Sequence, residues 1–175
     1  MPRSDELPKP DLPARTDDER HGALVWELTL RTVTGLVRAF EEDMKADGFT
    51  LPWYDVLIQL VEAPEQRLRM QDLADAVILS RSGLSRLVDR MEEAGLVRRE
   101  PVPDDRRGAY AVLTEEGRAT YGRLAPGHWR KIDERFSNRL ASSDLRALRR
   151  AMRKLGVALD EPGAPLDHPA DDAPG

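Results

Sequence analysis

The densest chemistry in this 175-residue chain lies in Leu79–Arg99, LSRSGLSRLVDRMEEAGLVRR. A helix over this stretch would turn Leu84, Leu87, Val88 and Met91 inward and leave Arg81, Ser82, Ser85, Arg86 and Arg90 outward. Long cations beside small hydroxyls, with Gly83 giving clearance, suit the approach to a duplex. In a major groove an arginine bonds guanine O6 and N7 together, and a serine serves several bases or a phosphate. Arg81, Ser82, Ser85 and Arg86 are therefore the base-reading candidates, with Arg86 the strongest, and Arg90 suits a phosphate.

A second group follows in LVRRE, PVPDDRRG and AYAVL, two strand-like runs enclosing a charged, proline-bearing loop. Arg98, Arg99 and Arg106 are placed for phosphates, and Arg107 at the tip for a narrow, electronegative minor groove. Asp105 is expected to orient the tip by pairing with an arginine, since phosphates would repel it. Taken singly, each arginine equally suits a solvated face, and an aspartate in a proline-bearing turn is ordinary turn chemistry. Their order along the chain carries the reading.

Helices must position both groups. Met70–Met91 has the spacing of a helix-turn-helix, with Leu73, Val77 and Leu79 also inward and Ser80 capping the second helix. A first helix is expected from about Asp18 to Asp47, ended by Gly48, and a second from Thr50, with Pro52 in its first turn, to Pro64. Thr114 caps a helix that Pro126 and Gly127 should kink or interrupt. Trp129, Ile132, Phe136 and Leu140 follow, then, after a Ser142 cap, Leu145, Leu148, Met152, Leu155 and Leu159 at helical period. The fold class is mainly α: a winged helix-turn-helix with a small β-hairpin wing, plus N- and C-terminal helices forming a dimerisation region. Residues 1–18 and 161–175, rich in proline and charge, are expected to be disordered tails. Residues 19–160 form the domain, with a DNA-binding lobe at about 51–114 and dimerisation helices at about 19–47 and 115–159. The helices flanking the lobe carry more apolar stripe than one small domain covers, which calls for a second copy.

Composition removes several function classes. With no cysteine there is no disulfide, thiolate metal site, cysteine nucleophile or thiol sensor. No apolar run approaches the roughly 20 residues needed to span a bilayer, and MPRSDELPKPDLPAR lacks an export signal, so a cytoplasmic location is expected. The net charge of -5 argues against a wholly basic coat, leaving recognition to a local basic face. His21, His128 and His168 are scattered and no catalytic, nucleotide or metal motif occurs, so neither an enzyme, a metal nor a cofactor is expected.

The order of helix, helix, helix-turn-helix, DDRRG wing, LTEEG and two C-terminal helices resembles the MarR family of bacterial regulators, over about residues 22–158. The specific positions are Asp105, Arg107, Leu113, Thr114 and Gly117. The resemblance implies a twofold dimer joined through first and last helices, with recognition helices in major grooves and wings in adjacent minor grooves. It implies a ligand-responsive repressor on a near-palindromic operator, with half-sites about one helical turn apart. It also implies a pocket where the dimerisation helices meet the DNA-binding lobe, with an aromatic or phenolic effector; His21, Trp26, Trp53, Tyr54 and Trp129 are its candidates, though such aromatics equally serve a core. Activation of transcription, or a winged helix that contacts protein, are the alternatives.

Overall fold

The computed structural model of the chain describes residues 13–77, 81–103 and 105–156, with only the backbone at 81, 82, 106 and 107. The expected tail at 161–175, most of that at 1–18, Leu79, the Ser80 cap and Leu159 lie outside the described residues.

Helix α1 spans Asp17–Ala46. It opens with a reciprocal cap: the Glu19 N–H donates to Thr16 Oγ1 (3.2 Å) and the Thr16 N–H to Glu19 Oε2 (2.7 Å). It closes at Gly48, whose φ of 73° lets the Phe49 N–H reach back to the Met44 carbonyl (2.8 Å). The chain divides into two compact units, Met1–Ala39 and Phe40–Gly175. In the first, Leu24, Trp26, Leu28 and Val33 are 53%, 63%, 55% and 54% exposed, so this long stretch of α1 buries little of its own stripe.

The second unit holds the core. Helix α2, Leu51–Glu62, starts on the Thr50 cap, which accepts from the Trp53 N–H, and stops before Pro64. Helix α3, Met70–Ala76, and helix α4, Arg81–Glu93, form the helix-turn-helix. Val56, Leu57 and Leu60 of α2 meet Leu73 and Val77 beside Leu84, Leu87, Val88 and Met91 of α4, all buried. At roughly 1.5–3 kcal/mol for each fully buried aliphatic side chain, this cluster fixes which face of α4 turns outward.

Strands β1 (Arg67–Arg69), β2 (Val97–Val102) and β3 (Asp105–Leu113) make one antiparallel sheet in the order β1-β3-β2. Strand β1 was not expected from the sequence. The wing also differs: pairing continues through Pro101↔Ala109 to Val102↔Asp105, across a register shift, so much of the expected loop is strand. Proline withholds one donor, yet its carbonyl and its neighbours still pair at the edge of a sheet.

Helix α5, Glu115–Arg135, runs through Pro126, so of the expected kink or interruption the interruption does not occur. Pro126 and Gly122 are both exposed, so water can serve the Gly122 carbonyl that loses its N–H partner. Helix α6 spans Ser142–Gly156. Ser142 is its first helical residue and not its cap; Asp144 instead accepts from the Ala141 N–H (3.3 Å).

Candidate nucleic-acid interface

The outward face of α4 carries Ser85, Arg86 and Arg90, all exposed, against the buried face just described. The Arg90 Nε donates to the Arg86 carbonyl (3.3 Å), and Gly83, Arg86, Asp89 and Arg90 line one shallow depression. Arg81 and Ser82 lie in the first turn of α4, but their side chains fall outside the described ones, as do those of Arg106 and Arg107 on β3. A second cleft, lined by Arg69, Gln71, Ser85, Asp105 and Gly108 among others, separates α4 from the wing.

The LTEEG segment secures the wing to the end of the recognition helix. Gly95, with φ 73°, ends α4 and lets the Leu96 N–H return to the Met91 carbonyl (2.9 Å). The Thr114 hydroxyl lies 2.6 Å from the Gly95 carbonyl and 2.9 Å from the Leu96 carbonyl, and accepts from the Gly117 N–H (3.0 Å). A Cβ on Gly117 would overlap the Leu96 carbonyl oxygen and stand 2.9 Å from Leu113 Cδ1. The threonine and glycine of the motif thus have one physical role, a close junction between α5 and the turn from α4 into β2.

Asp105 Oδ1 accepts from the Gly108 N–H (3.0 Å), and its other oxygen lies 3.7 Å from Arg69 Nη1. The aspartate pairs with an arginine, as expected, and Arg69 comes from β1. The Arg67 and Arg69 guanidinium groups lie over the Tyr110 ring, at 4.9 and 5.9 Å from its centroid. Arg67 also meets Glu65 (2.5 Å). The sequence reading missed Arg67, Arg69 and Tyr110; the alternating Arg-Leu-Arg beside a helix start was their one local signal.

The two wing-base arginines differ. Arg98 is exposed and paired with Glu100. Arg99 turns onto α4: Nη2 donates to the Ser85 carbonyl (3.2 Å), while Nη1 lies 2.6 Å from Asp89 and 3.0 Å from Glu92. Glu92 also accepts from the Arg99 backbone N–H (2.7 Å).

The aromatic candidates separate. His21 and Trp26 are exposed in the first unit. Trp53 packs edge-on to Phe49 (5.7 Å) against the main core. Tyr54 is buried, stacked on Tyr121 (5.5 Å) and tilted over His128 (4.6 Å), with Trp129 acting on its hydroxyl. His128, not a candidate from sequence, also meets the Phe40 ring edge-on (5.3 Å). It follows Tyr121 by seven residues, the spacing that shares a helix face. The Tyr54 hydroxyl and His128 Nδ1 are buried without a hydrogen bond of normal geometry. Burial, aided by Tyr121, pushes the Tyr54 hydroxyl well up and keeps it neutral. Burial lowers the His128 imidazole against an opposing pull from Asp43, which is itself held by Arg135 at 2.8 and 3.0 Å.

Residues 47–108, which include the helix-turn-helix and most of the wing, match the model of the MarR family. The transcriptional regulator HosA of Escherichia coli O111:H- is 31% identical over 107 residues, covering 61% of this chain and 76% of that one. AbsC, a MarR family transcriptional regulator from Streptomyces coelicolor, is 38% identical, with 85% of this chain and 98% of that one covered and a TM-score of 0.76. Sco3205, a MarR family regulator from the same organism solved in complex with DNA, is 34% identical, with 89% and 96% covered and a TM-score of 0.76. Likeness at this level over nearly the whole length of those regulators, with the threonine–glycine junction and wing in place, means that the chain belongs to the MarR family of transcriptional regulators.

Proposed function

We propose that the protein is a homodimeric, ligand-responsive repressor that binds a near-palindromic operator, with α4 in the major groove and the wing in the adjacent minor groove. The observation that carries this reading is the two-sided character of α4. Leu84, Leu87, Val88 and Met91 lock one face into the core, leaving Ser85, Arg86 and Arg90 on the other beside a secured wing. The relative Sco3205, solved with DNA, supports it.

Ser85 and Arg86, with Arg81 and Ser82, read bases; Arg90, Arg98 and Arg106 meet phosphates; Arg107 enters the minor groove; Asp105 orients the wing. The lobe comprises about residues 51–114 and the dimerisation helices about 19–47 and 115–159. The exposed apolar stripe of α1 supports a second copy as partner. Among the described residues no helix is long and apolar enough to cross a membrane, which agrees with a cytoplasmic regulator. An aromatic or phenolic effector is assigned to the neighbourhood of Tyr54 and Trp129, where the Tyr54 hydroxyl and His128 Nδ1 are buried without a hydrogen bond of normal geometry. It acts by favouring a spacing of recognition helices that no longer fits adjacent grooves.

The test is fluorescence anisotropy of the purified protein on its own upstream intergenic DNA and on an unrelated duplex, at two salt concentrations, with subunit stoichiometry from light scattering. Tight, selective binding by two chains per site is expected. Weak binding without selectivity overturns the reading.

A further inference from the structure

Arg99 looks from its type and place like one more phosphate ligand, yet its guanidinium is directed into the protein. From β2 it reaches Asp89 at 2.6 Å, Glu92 at 3.0 Å and the Ser85 carbonyl at 3.2 Å, all on α4. Its backbone N–H is held by Glu92 as well, at 2.7 Å. The side chain is 27% exposed, against 53% for Arg98 next to it. The four interactions fall on successive turns of one helix, at residues 85, 89 and 92, and they include the carbonyl of a base-reading candidate. A planar guanidinium with donors in a fixed fork can hold such acceptors in one geometry, which a single ammonium cannot.

We propose that Arg99 is a positioning residue that sets the wing against the recognition helix, and not a phosphate ligand. The inference rests on the DNA-binding reading above and deepens it. Placing β2 and α4 in register places Ser85 and Arg86 in one groove when the wing tip is in the next, so Arg99 acts on selectivity through residues that touch DNA. A phosphate ligand would act otherwise: its removal would weaken binding to every duplex alike and lower the salt slope by about 0.9 for each phosphate no longer neutralised.

The experiment uses the full-length protein, a duplex enriched by the wild type from a randomised pool, and a shuffled duplex of the same composition. Affinity is measured over a salt series and melting temperature is recorded for each variant. In Arg99→Met the ratio of affinities for enriched over shuffled duplex should fall at least about tenfold, with the salt slope on the shuffled duplex held. In Arg99→Lys, which keeps the charge and loses the fork, selectivity should still fall, by roughly three- to tenfold. If Arg99→Met does not fold, Arg99→Lys carries the test alone. Full selectivity in Arg99→Lys overturns the proposal, since charge alone then suffices. Equal losses on both duplexes with a lowered salt slope in Arg99→Met overturn it too, and so does a change in melting temperature with selectivity intact. Failure of the wild type to enrich any duplex refutes the DNA-binding reading itself and is thereby kept apart from these outcomes.

Discussion

Replacing Gly117 by alanine would put a methyl group against the Leu96 carbonyl oxygen, 3.1 Å from the Leu96 carbonyl carbon and 2.9 Å from Leu113 Cδ1. Those neighbours are backbone and a buried side chain, so relief requires the first turn of α5 or the Gly95–Leu96 turn to move by about 1 Å in a close-packed junction. Overpacking of this kind costs about 1–3 kcal/mol. The same movement pulls the Thr114 hydroxyl from the Gly95 and Leu96 carbonyls and from the Gly117 N–H, at about 1 kcal/mol for each bond broken. Alanine's helix preference over glycine returns at most about 1 kcal/mol. The net loss should be about 3–5 kcal/mol, a fall in melting temperature of roughly 6–20 °C for a chain of this size.

Gly122 is the internal control. It lies on the same helix, is exposed, and has no atom within 4 Å of a Cβ built on it, so Gly122→Ala should stabilise by about 0.5–1 kcal/mol. Thermal and urea unfolding at one fixed protein concentration, followed by circular dichroism and tryptophan fluorescence, measures both. Thr114→Val should cost about 1–2 kcal/mol, and combined with Gly117→Ala should fall short of additivity because both disrupt one junction. A Gly117→Ala protein as stable as the wild type, or an equal loss in Gly122→Ala, would show that the close junction does not control stability.

Arg86→Ala should change preference among operator sequences by about 1–3 kcal/mol, whereas Arg106→Ala should weaken all duplexes alike; sequence-blind losses from both would refute the division of roles. Asp105→Ala removes the acceptor for the Gly108 N–H and the partner of Arg69, so binding should weaken most on duplexes with A·T-rich flanks. Tighter binding to every duplex would instead mean that the carboxylate merely repels DNA. Burial lowers His128 in the folded state, so the folded protein binds fewer protons than the unfolded chain as pH falls through about 6.5. Stability should be full above that pH and be lost as pH falls through the lowered folded value; the dependence between about pH 7 and pH 5 should be shallower in His128→Gln, and parallel curves would refute it.

What the sequence made legible is what short-range chemistry controls. Gly48 and Gly95 adopt the positive φ that ends α1 and α4, Thr50 and Thr114 cap the helices that follow them, and the apolar faces of α2 and α4 are those their periodicity indicated. What was missed depends on distant partners. Strand β1 is three residues long and exists because Leu68 and its neighbours pair with Tyr110–Val112 far along the chain. Asp105 pairs with an arginine as expected, but that this is Arg69 follows only from the pairing of that same strand. Tyr54 and His128 meet across two helices that no periodicity links. One missed feature was within reach: Val97 faces the core, and strand alternation puts Arg99 on the same face, toward α4 and away from Arg98.

That parity also bears on the charge problem raised by a net charge of -5. Helix α4 carries Arg81, Arg86 and Arg90, but also Asp89, Glu92 and Glu93, so the helix has no net charge. A duplex approaching its outer face would meet carboxylates within the range of its arginines, since screening at physiological salt acts over about 8 Å. Arg99 engages two of those three carboxylates from the wing side. Two of the acidic charges beside Arg86 and Arg90 are thereby offset from the wing side. A cation can thus favour an anionic partner it does not touch, by offsetting the charges that would oppose it. For this reason the sum of charges over the chain says little about its ligand, and the pairing of each arginine says a good deal.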